Sequence, residues 1–349
     1  MKKIIYVTGQ IGAGKSLLMR SLEKDFPGKY LFTDEIAHRI MATGNIYHEL
    51  VELFGFEFSM KKSEDRKRIG KVIFASKSKK QAMEEIVHPA VRRYIQDCIA
   101  ETEHEFIFIE SALPIDIELT ATISVVCSDD SIRYNRIKAH RKKTLEQIEL
   151  IDKSQRSYEE FCRAADFIID TIDSEIPDIN TSLLQDWLKA KFNRNENWVA
   201  FTGSFLPFTY GHESIVKQAL VSYDRVYIVQ ALNPEKIAMA EKYPLPLEEN
   251  LPMEFQNKVF FVEPTQKLTS FLVKELGCRV MIRGIRNHED AVYENKIFDI
   301  NHRIDPSVVT AVYFAEPESK MISSSLYRAL DSFPGTKGLF IPSYVKINT

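Results

Sequence analysis

The stretch Gly9-Gln-Ile-Gly-Ala-Gly-Lys-Ser16 follows the apolar run from Lys3 to Thr8 and opens a helical pattern. It fits G-x-x-x-x-G-K-[ST], whose glycines let backbone N–H groups face phosphate oxygens while the lysine reaches the β- and γ-phosphates. In this motif the hydroxyl of the last residue ligates Mg²⁺. The predicted nucleotide-binding residues are Gly9, Gly12, Ala13, Gly14, Lys15 and Ser16, with Lys15 also catalytic and Ser16 the metal ligand.

Composition limits the class of protein. The chain has 349 residues, 44% of them hydrophobic, which is enough for two packed domains. Its net charge of -3 argues against a nucleic-acid partner. No apolar run approaches the length of a membrane span, and the cysteines Cys98, Cys127, Cys162 and Cys278 form no Cys-x-x-Cys pair. We expect a cytoplasmic protein with no membrane partner.

Short apolar runs alternate with amphipathic stretches twice along the chain, which predicts an α/β fold with parallel sheets. In the first half the predicted strands are Lys3–Thr8, Tyr30–Thr33, Phe106–Glu110, Thr122–Cys127 and Asp166–Asp170. The charged segment from Lys62 to Ala100 has a helical pattern only, so we predict a helical insertion beside the sheet. Thr144-Leu-Glu-Gln147 predicts a capping box at a helix start.

The second half predicts a Rossmann-like domain. Its strands are expected at Trp198–Thr202, Arg225–Ala231, Val259–Val262, Arg279–Ile282 and Val308–Phe314. Helices are expected at Gly211–Tyr223 and Thr265–Leu276. A third helix is expected between the last two strands, and a fourth from Ser323 onward. Because the polar segment 193–197 precedes the first of these strands, we predict domains at residues 1–192 and 198–349 joined by this linker.

Asp34 follows the second predicted strand and opens a helical run, which leaves two roles open for it. A carboxylate there can accept a proton from an attacking hydroxyl, but Asp is also a common helix N-cap. Arg133, Arg136, Arg141 and Lys142 form a basic segment after the fourth strand. These cations either close over phosphates as charge develops or form a solvated helix face.

The first half resembles dephospho-CoA kinase over residues 1 to about 190. The similarity rests on the phosphate motif, Asp34, His88-Pro89, the basic segment to Arg141 and Ala165-Asp-Phe-Ile-Ile169. It implies a P-loop kinase that transfers the γ-phosphate of ATP to the 3'-hydroxyl of dephospho-CoA, with Asp34 as base, Arg141 as a catalytic cation and Mg²⁺ accompanying ATP. Phe32-Thr33-Asp34 departs from the family's usual Asp-Ala-Asp, and His38 replaces an Arg.

A second set of polar residues lies in the second half. Gly203 to His212 leads from a strand into a helix, Arg283 and Arg286 end a later strand, and Ser323-Ser-Ser325 precedes the last helix. The carboxyl ends of parallel strands and the N-termini of helices converge on one crevice of an α/β sheet, where they can bind phosphate. Taken alone, Thr209 also suits a helix cap and His212 a structural role.

Together these residues resemble phosphopantetheine adenylyltransferase over residues 198 to about 345. The shared motifs are Gly-Ser-Phe-x-Pro, Thr-x-Gly-His, Asn-Pro-Glu-Lys236, Arg-Gly-Ile-Arg, Asp290-Ala-Val-Tyr-Glu294 and Ile-Ser-Ser-Ser, whereas Leu206 replaces a usual Asp. The resemblance implies a nucleotidyltransferase acting on ATP and 4'-phosphopantetheine, with His212, Lys236 and Arg283 catalytic. The nucleotide-binding residues that it implies are Ser204, Phe205, Thr209, His212, Arg286, Glu294, Ser323, Ser324 and Ser325.

The two resemblances predict consecutive steps, in which the second domain makes dephospho-CoA and the first converts it to CoA. Two alternatives stay open: one working site beside a regulatory domain, motivated by Phe32 and Leu206, or a P-loop sensor of CoA precursors without turnover. The histidines show no metal-binding spacing, so Mg²⁺ with ATP is the predicted cofactor. The second resemblance also implies a homo-oligomer through the C-terminal domain, unless the fused kinase domain blocks that interface.

Overall fold

The computed structural model of the chain describes residues 1–111, 117–141, 144–153, 155–172, 180–232, 236–265 and 267–348. It divides into two compact units, Met1–Ala164 with Asp170–Thr181, and Ala165–Ile169 with Ser182–Thr349. Each half of the chain contributes one five-stranded sheet, which confirms the predicted α/β class. The residues from Ser182 onward belong to the second compact unit. The domain boundary at residues 193–197 stays a prediction.

The first sheet has the strand order β2-β3-β1-β4-β5. Its strands are β1 (Lys3–Gly9), β2 (Lys29–Phe32), β3 (Phe106–Glu110), β4 (Ala121–Val126) and β5 (Phe167–Asp170). β1 pairs in parallel with both β3 and β4, and β2 pairs in parallel with β3. The predicted strands are confirmed to within about one residue, because buried parallel strands are near-continuous apolar runs.

Helices connect these strands and form the predicted insertion. They are α1 (Lys15–Asp25), α2 (Thr33–Ile40), α3 (Gly44–Phe54), α4 (Ser63–Ala75), α5 (Lys77–Glu101), α6 (Asp130–Arg141), α7 (Leu145–Lys153) and α8 (Tyr158–Ala164). The predicted insertion corresponds to α4 and α5, which share an apolar core with α3 in which Leu50, Phe54, Ile69 and Val87 are buried. The predicted capping box is confirmed at α7, where the N–H of Thr144 donates to Gln147 Oε1 at 3.2 Å and the N–H of Gln147 to Thr144 Oγ1 at 3.4 Å.

The second sheet has the strand order β10-β9-β6-β7-β8, and its neighbouring strands are parallel. The strands are β6 (Trp198–Gly203), β7 (Arg225–Ala231), β8 (Val259–Thr265), β9 (Val280–Ile285) and β10 (Val309–Phe314). The helices are α9 (Ser182–Lys189), α10 (Tyr210–Ala219), α11 (Ile237–Lys242), α12 (Thr269–Glu275), α13 (His288–Ile304), α14 (Ser324–Leu330) and α15 (Thr336–Phe340). A membrane-spanning helix is absent from the described part of the chain.

Two helix predictions in the second half are wrong at one end. The predicted helix Thr265–Leu276 begins only at Thr269, because β8 continues to Thr265. The register between β7 and β8 is irregular between Val229 and Ala231, and Ala231 pairs with Thr265 at the end of β8, the edge strand of the sheet. The helix predicted to end at Tyr223 ends at Ala219 and continues as a turn.

A buried ion pair joins α12 to the end of α13. Lys274 Nζ lies 2.6 Å from Asp305 Oδ2, and each side chain is 1% exposed. The other carboxylate oxygen, Oδ1 of Asp305, accepts from the N–H of Ser307 at 3.0 Å and from its hydroxyl at 2.7 Å. Because desolvated charges need partners, removing either member leaves a buried charge uncompensated.

We therefore expect Lys274→Met to lower the free energy of unfolding of the second unit by about 3–5 kcal/mol, whereas the double variant Lys274→Met/Asp305→Leu regains most of that loss. Urea unfolding followed by tryptophan fluorescence measures this, since both tryptophans, Trp187 and Trp198, belong to the second unit. Lys242→Met is the control, because its pair with Asp331 is exposed and contributes about 0–1 kcal/mol. Equal losses for the two lysine variants would contradict the prediction.

Candidate active sites

The P-loop is shaped by glycines in left-handed conformations. Gly9, Gly12 and Gly14 have φ angles of 141°, 79° and 99°. A Cβ atom on Gly9 would lie 1.8 Å from the carbonyl oxygen of Val125, so no other residue fits at the end of β1. The loop then opens into α1 at Lys15, and the first N–H groups of that helix are free of helical partners.

Lys15 and Ser16 are held by acceptors at the mouth of this loop. Lys15 Nζ donates to the carbonyl oxygens of Gly9 at 2.8 Å and Gln10 at 2.9 Å. Ser16 Oγ donates to Glu110 Oε1 at 2.8 Å. Glu110 ends β3, the strand beside β1. It was not predicted as a site residue, although a carboxylate at the end of the strand next to the P-loop strand could have indicated one. The hydroxyl and carboxylate oxygens fit a hard cation such as Mg²⁺.

The backbone of Ile11, in the P-loop, is hydrogen-bonded to two side chains from outside the loop. Its N–H donates to Gln155 Oε1 at 2.9 Å, and its carbonyl accepts from Arg133 NH1 at 3.2 Å. Arg133 is buried and also donates to both carboxylate oxygens of Asp152, at 2.6 and 2.7 Å. The solvated-face role considered for Arg133 is therefore wrong, because its side chain is buried and its hydrogen bonds hold protein groups in place, whereas the phosphate-clamp role stays a prediction.

Arg136 and Arg141 are the other two arginines of α6. Arg136 donates to Thr171, at 3.0 Å to the hydroxyl and 2.8 Å to the carbonyl. Arg141 is the last residue of α6, but its side chain and Lys142 lie outside the described residues, so a catalytic role for Arg141 stays a prediction.

A cavity of about 450 Å³ lies beside Asp34 in the first unit. Residues of α2, α4 and α5 line it, and its polar members include Asp34, His38, Arg66, His88 and Arg92. Asp34 is in the first turn of α2, whose N-cap is Phe32, so the N-cap alternative for Asp34 is wrong. Its carboxylate is exposed to the cavity and available to a bound hydroxyl group.

A larger cavity of about 690 Å³ lies at the carboxyl ends of β6, β7 and β9. The predicted residues that line it are Ser204, Phe205, His212, Lys236, Arg283, Arg286, Glu294, Ser324 and Ser325. Thr209 and Ser323 are not among its lining residues. Thr209 is fully buried at the start of α10, and the hydroxyl of Ser323 caps α14 by accepting from the N–H of Leu326 at 3.1 Å.

His212 is oriented by the helix cap. The N–H of Thr209 donates to His212 Nδ1 at 3.0 Å, so we assign the ring proton to Nε2. Burial and the positive charge of Arg286 lower the pKa of His212 to about 3. The ring is therefore neutral at physiological pH, with an N–H donor remaining for the cavity.

Two arginines on β9 and just after it are paired with carboxylates of α13. Arg283 donates to Glu294, Nε to Oε2 at 2.6 Å and NH2 to Oε1 at 2.8 Å. Arg286 donates to Asp290, Nε to Oδ2 at 2.8 Å and NH2 to Oδ1 at 2.9 Å. These bidentate pairs fix each guanidinium at the cavity wall.

Two further cations that line this cavity were missed from the sequence. Arg328, on α14, donates to the carbonyl of Leu206 and to Ser325 Oγ at 3.3 Å. Lys267 pairs with Glu275 at 2.9 Å. Neither belongs to a recognised motif, and α14 shows only a helical pattern in the sequence. The Leu206 side chain itself is 1% exposed and packs in the core, so its departure from the family pattern does not change the cavity wall.

The two sites define two classes of enzyme: a P-loop kinase in the first half and an α/β nucleotidyltransferase in the second. A family model described as dephospho-CoA kinase matches residues 3–178, and one described as cytidylyltransferase-like matches residues 200–330. The chain belongs to the dephospho-CoA kinase family and, in its second half, to the phosphopantetheine adenylyltransferase family.

Relatives of the second half are phosphopantetheine adenylyltransferases. That of Lactobacillus acidophilus is 32% identical over 147 residues, which cover 41% of this chain and 88% of the relative. That of Cytophaga hutchinsonii is 36% identical over 146 residues, covering 41% and 94% respectively. Among solved structures, dephospho-CoA kinase from Campylobacter jejuni aligns at 24% identity over 56% of this chain and 100% of its own, with a TM-score of 0.37.

The lowered pKa of His212 makes the stability of the second unit depend on pH. In the unfolded chain a histidine has a pKa near ~6.5, so between that value and about 3 the unfolded state binds the extra proton. The stabilisation from a neutral His212 is present above pH 6.5 and is lost as the pH falls, at up to about 1.4 kcal/mol per pH unit.

His212→Asn supplies an amide oxygen for the N–H of Thr209 and cannot titrate. We expect the unfolding free energies of the unchanged protein and of His212→Asn to converge as the pH falls from about 7 to 5, because only the unchanged protein loses the stabilisation from a neutral His212. Urea titration followed by tryptophan fluorescence measures both free energies. A difference between them that does not change with pH would show that His212 titrates normally.

Proposed function

We propose that this chain catalyses the last two steps of coenzyme A synthesis, each in its own half. The observation that carries the proposal is that each half combines the phosphate-binding and cavity residues of one of the two families. In the second half, ATP and 4'-phosphopantetheine give dephospho-CoA and pyrophosphate. In the first half, ATP and dephospho-CoA give CoA and ADP. Neither the single-activity enzyme nor the non-catalytic sensor is supported by a separate observation.

In the adenylyl transfer, an oxygen of the 4'-phosphate attacks the α-phosphorus of ATP. The bond from that phosphorus to the oxygen that bridges the α- and β-phosphates breaks, and this oxygen leaves as part of pyrophosphate. The nucleophile is already an anion, so no general base is needed, and catalysis consists of alignment and charge stabilisation. His212 donates from Nε2 to the α-phosphate, while Lys236 and Arg283 hold the incoming phosphate. Arg286, Ser324 and Ser325 hold the ATP phosphates near the N-terminus of α14, whose first turn is capped by Ser323.

In the phosphoryl transfer, Asp34 accepts the proton of the ribose 3'-hydroxyl as the hydroxyl oxygen attacks the γ-phosphorus of ATP. The bond from that phosphorus to the oxygen that bridges the β- and γ-phosphates breaks, and ADP leaves. Lys15 leaves the carbonyls of Gly9 and Gln10 and donates to the β- and γ-phosphates as charge develops. Ser16 and Glu110 would hold the Mg²⁺ that accompanies ATP, and its charge would neutralise part of the negative charge on the phosphates. Gln155 and Arg133 keep Ile11 in place, so the N–H groups of the loop stay aimed at the phosphates.

Product analysis by mass spectrometry separates the two activities. With 4'-phosphopantetheine, ATP and Mg²⁺, we expect CoA, pyrophosphate and ADP from the unchanged protein. Lys15→Ala should accumulate dephospho-CoA and pyrophosphate without CoA. His212→Ala should lose about 10²–10³-fold in pyrophosphate release yet still convert supplied dephospho-CoA to CoA.

Lys24→Ala is the matched control for Lys15, because Lys24 is exposed in the last turn of the same helix, and it should keep both activities. The bifunctional proposal fails if the unchanged protein forms neither dephospho-CoA nor, from supplied dephospho-CoA, CoA. The residue roles fail if Lys15→Ala or His212→Ala leaves both activities intact.

The resemblance also implies self-association through the C-terminal domain, and we propose that β10 takes part. This strand lies at the edge of the second sheet and exposes Val309, Val312 and Phe314, the last at 71%. An edge strand with exposed apolar side chains is a template for pairing with a second copy. We expect Phe314→Glu to lower the molar mass of the assembly in light scattering, and an unchanged mass would exclude this edge.

Cytoplasmic location and the lack of a nucleic-acid partner stay predictions.

A further inference from the structure

Arg283 is almost saturated with hydrogen bonds before any substrate binds. Its Nε–H and one NH2 hydrogen go to Glu294, and NH1 donates to the carbonyl and the hydroxyl of Thr202. A guanidinium has five N–H donors, so among the described residues one remains uncommitted. Glu294 thus occupies the fork of Arg283 that would bind a phosphate in bidentate fashion.

Arg286 provides the contrast within the same cavity. Its fork holds Asp290 through Nε and NH2, while neither hydrogen of NH1 has a partner among the described residues. Its side chain is also more exposed, at 36% against 15% for Arg283. Arg286 can therefore bind a phosphate of ATP through NH1 while it keeps Asp290, whereas Arg283 can bind the acceptor phosphate through its fork only by losing Glu294.

We propose that the Glu294 carboxylate is an internal competitor for the acceptor phosphate: the phosphate monoester displaces it from Arg283 on binding, and it returns to Arg283 after the reaction. This rests on the proposed adenylyl transfer in the second half. A carboxylate and a phosphate monoester present the same pair of oxygens to a guanidinium, and both prefer the bidentate arrangement. Glu294 is 12% exposed and lines the cavity, so the exchange takes place within it.

The charge change of the reaction gives this competition a direction. A phosphate monoester carries nearly two negative charges at pH 7, which allows it to displace a carboxylate of single charge. Once its oxygen is bonded to the adenylyl phosphorus, the same phosphate becomes part of a diphosphate diester with one negative charge on each phosphorus. The carboxylate then competes on more equal terms and favours release of the product. Free pantetheine, which has no phosphate, does not enter the competition.

Binding of 4'-phosphopantetheine and of pantetheine to the full chain, measured by calorimetry without ATP, tests the proposal. Glu294→Gln keeps the size of the side chain and an oxygen acceptor for Arg283 but removes the competing charge. We expect it to tighten 4'-phosphopantetheine binding by about tenfold, as for the loss of one charge-assisted competitor, and to leave pantetheine binding unchanged. The KM for 4'-phosphopantetheine in pyrophosphate release should fall with it.

Glu289→Gln is the matched control, because it removes the same charge from an exposed position on the same helix and should change neither affinity. Glu294→Asp, which withdraws the carboxylate by one methylene, should tighten phosphate-dependent binding by less than Glu294→Gln does. Weaker or unchanged 4'-phosphopantetheine binding in Glu294→Gln, with pantetheine binding intact, would overturn the proposal and leave Glu294 as a residue that orients Arg283. Failure of the unchanged protein to release pyrophosphate would instead refute the proposed function.

Discussion

A cation that is to bind phosphate must be held in place before the phosphate arrives, and both sites depend on how this is done. In the first half, Lys15 is held by two backbone carbonyls, which are neutral and easily exchanged for phosphate oxygens. In the second half, Arg283 and Arg286 are held by carboxylates. A carboxylate fixes a guanidinium more strongly than a carbonyl does, because the hydrogen bonds are charge-assisted. If Lys15 and Arg283 bind phosphate as proposed, the substrate displaces neutral carbonyls in the first site and a carboxylate in the second.

Parallel sheets bring these groups together from distant parts of the chain. Ser16 and Glu110 are 94 residues apart but meet because β1 and β3 are neighbouring strands. In the second sheet, β6 lies beside β9, so Thr202 at the end of one strand reaches Arg283 on the other. Since strand ends on one edge face the helix N-termini, each site combines fixed side chains with oriented N–H groups. The same arrangement thus serves two different phosphate chemistries.

The parts of this structure that are local in sequence could be predicted, and the parts that depend on tertiary partners could not. The P-loop follows from the spacing of its glycines with Lys15 and Ser16, and the strands follow from continuous apolar runs. The buried position of Arg133 depends on Asp152, which lies on another helix, so its sequence context suggested an exposed cation. The continuation of β8 to Thr265 depends on an irregular pairing with β7, which leaves no local signal.

Leu206 and Phe32 depart from the family patterns, and in this structure both residues make packing contacts. Leu206 contributes its carbonyl to Arg328 and its side chain to the core. Because the 4'-phosphate attacks as an anion, an acidic side chain is not needed at this position as a proton acceptor. Phe32 ends β2 with its ring 4.7 Å from the guanidinium carbon of Arg20. The phosphoryl transfer does need a proton acceptor, since its nucleophile is a neutral hydroxyl, and there Asp34 is retained at the cavity wall. Asp34 is therefore the acidic residue that we propose as the proton acceptor of the phosphoryl transfer.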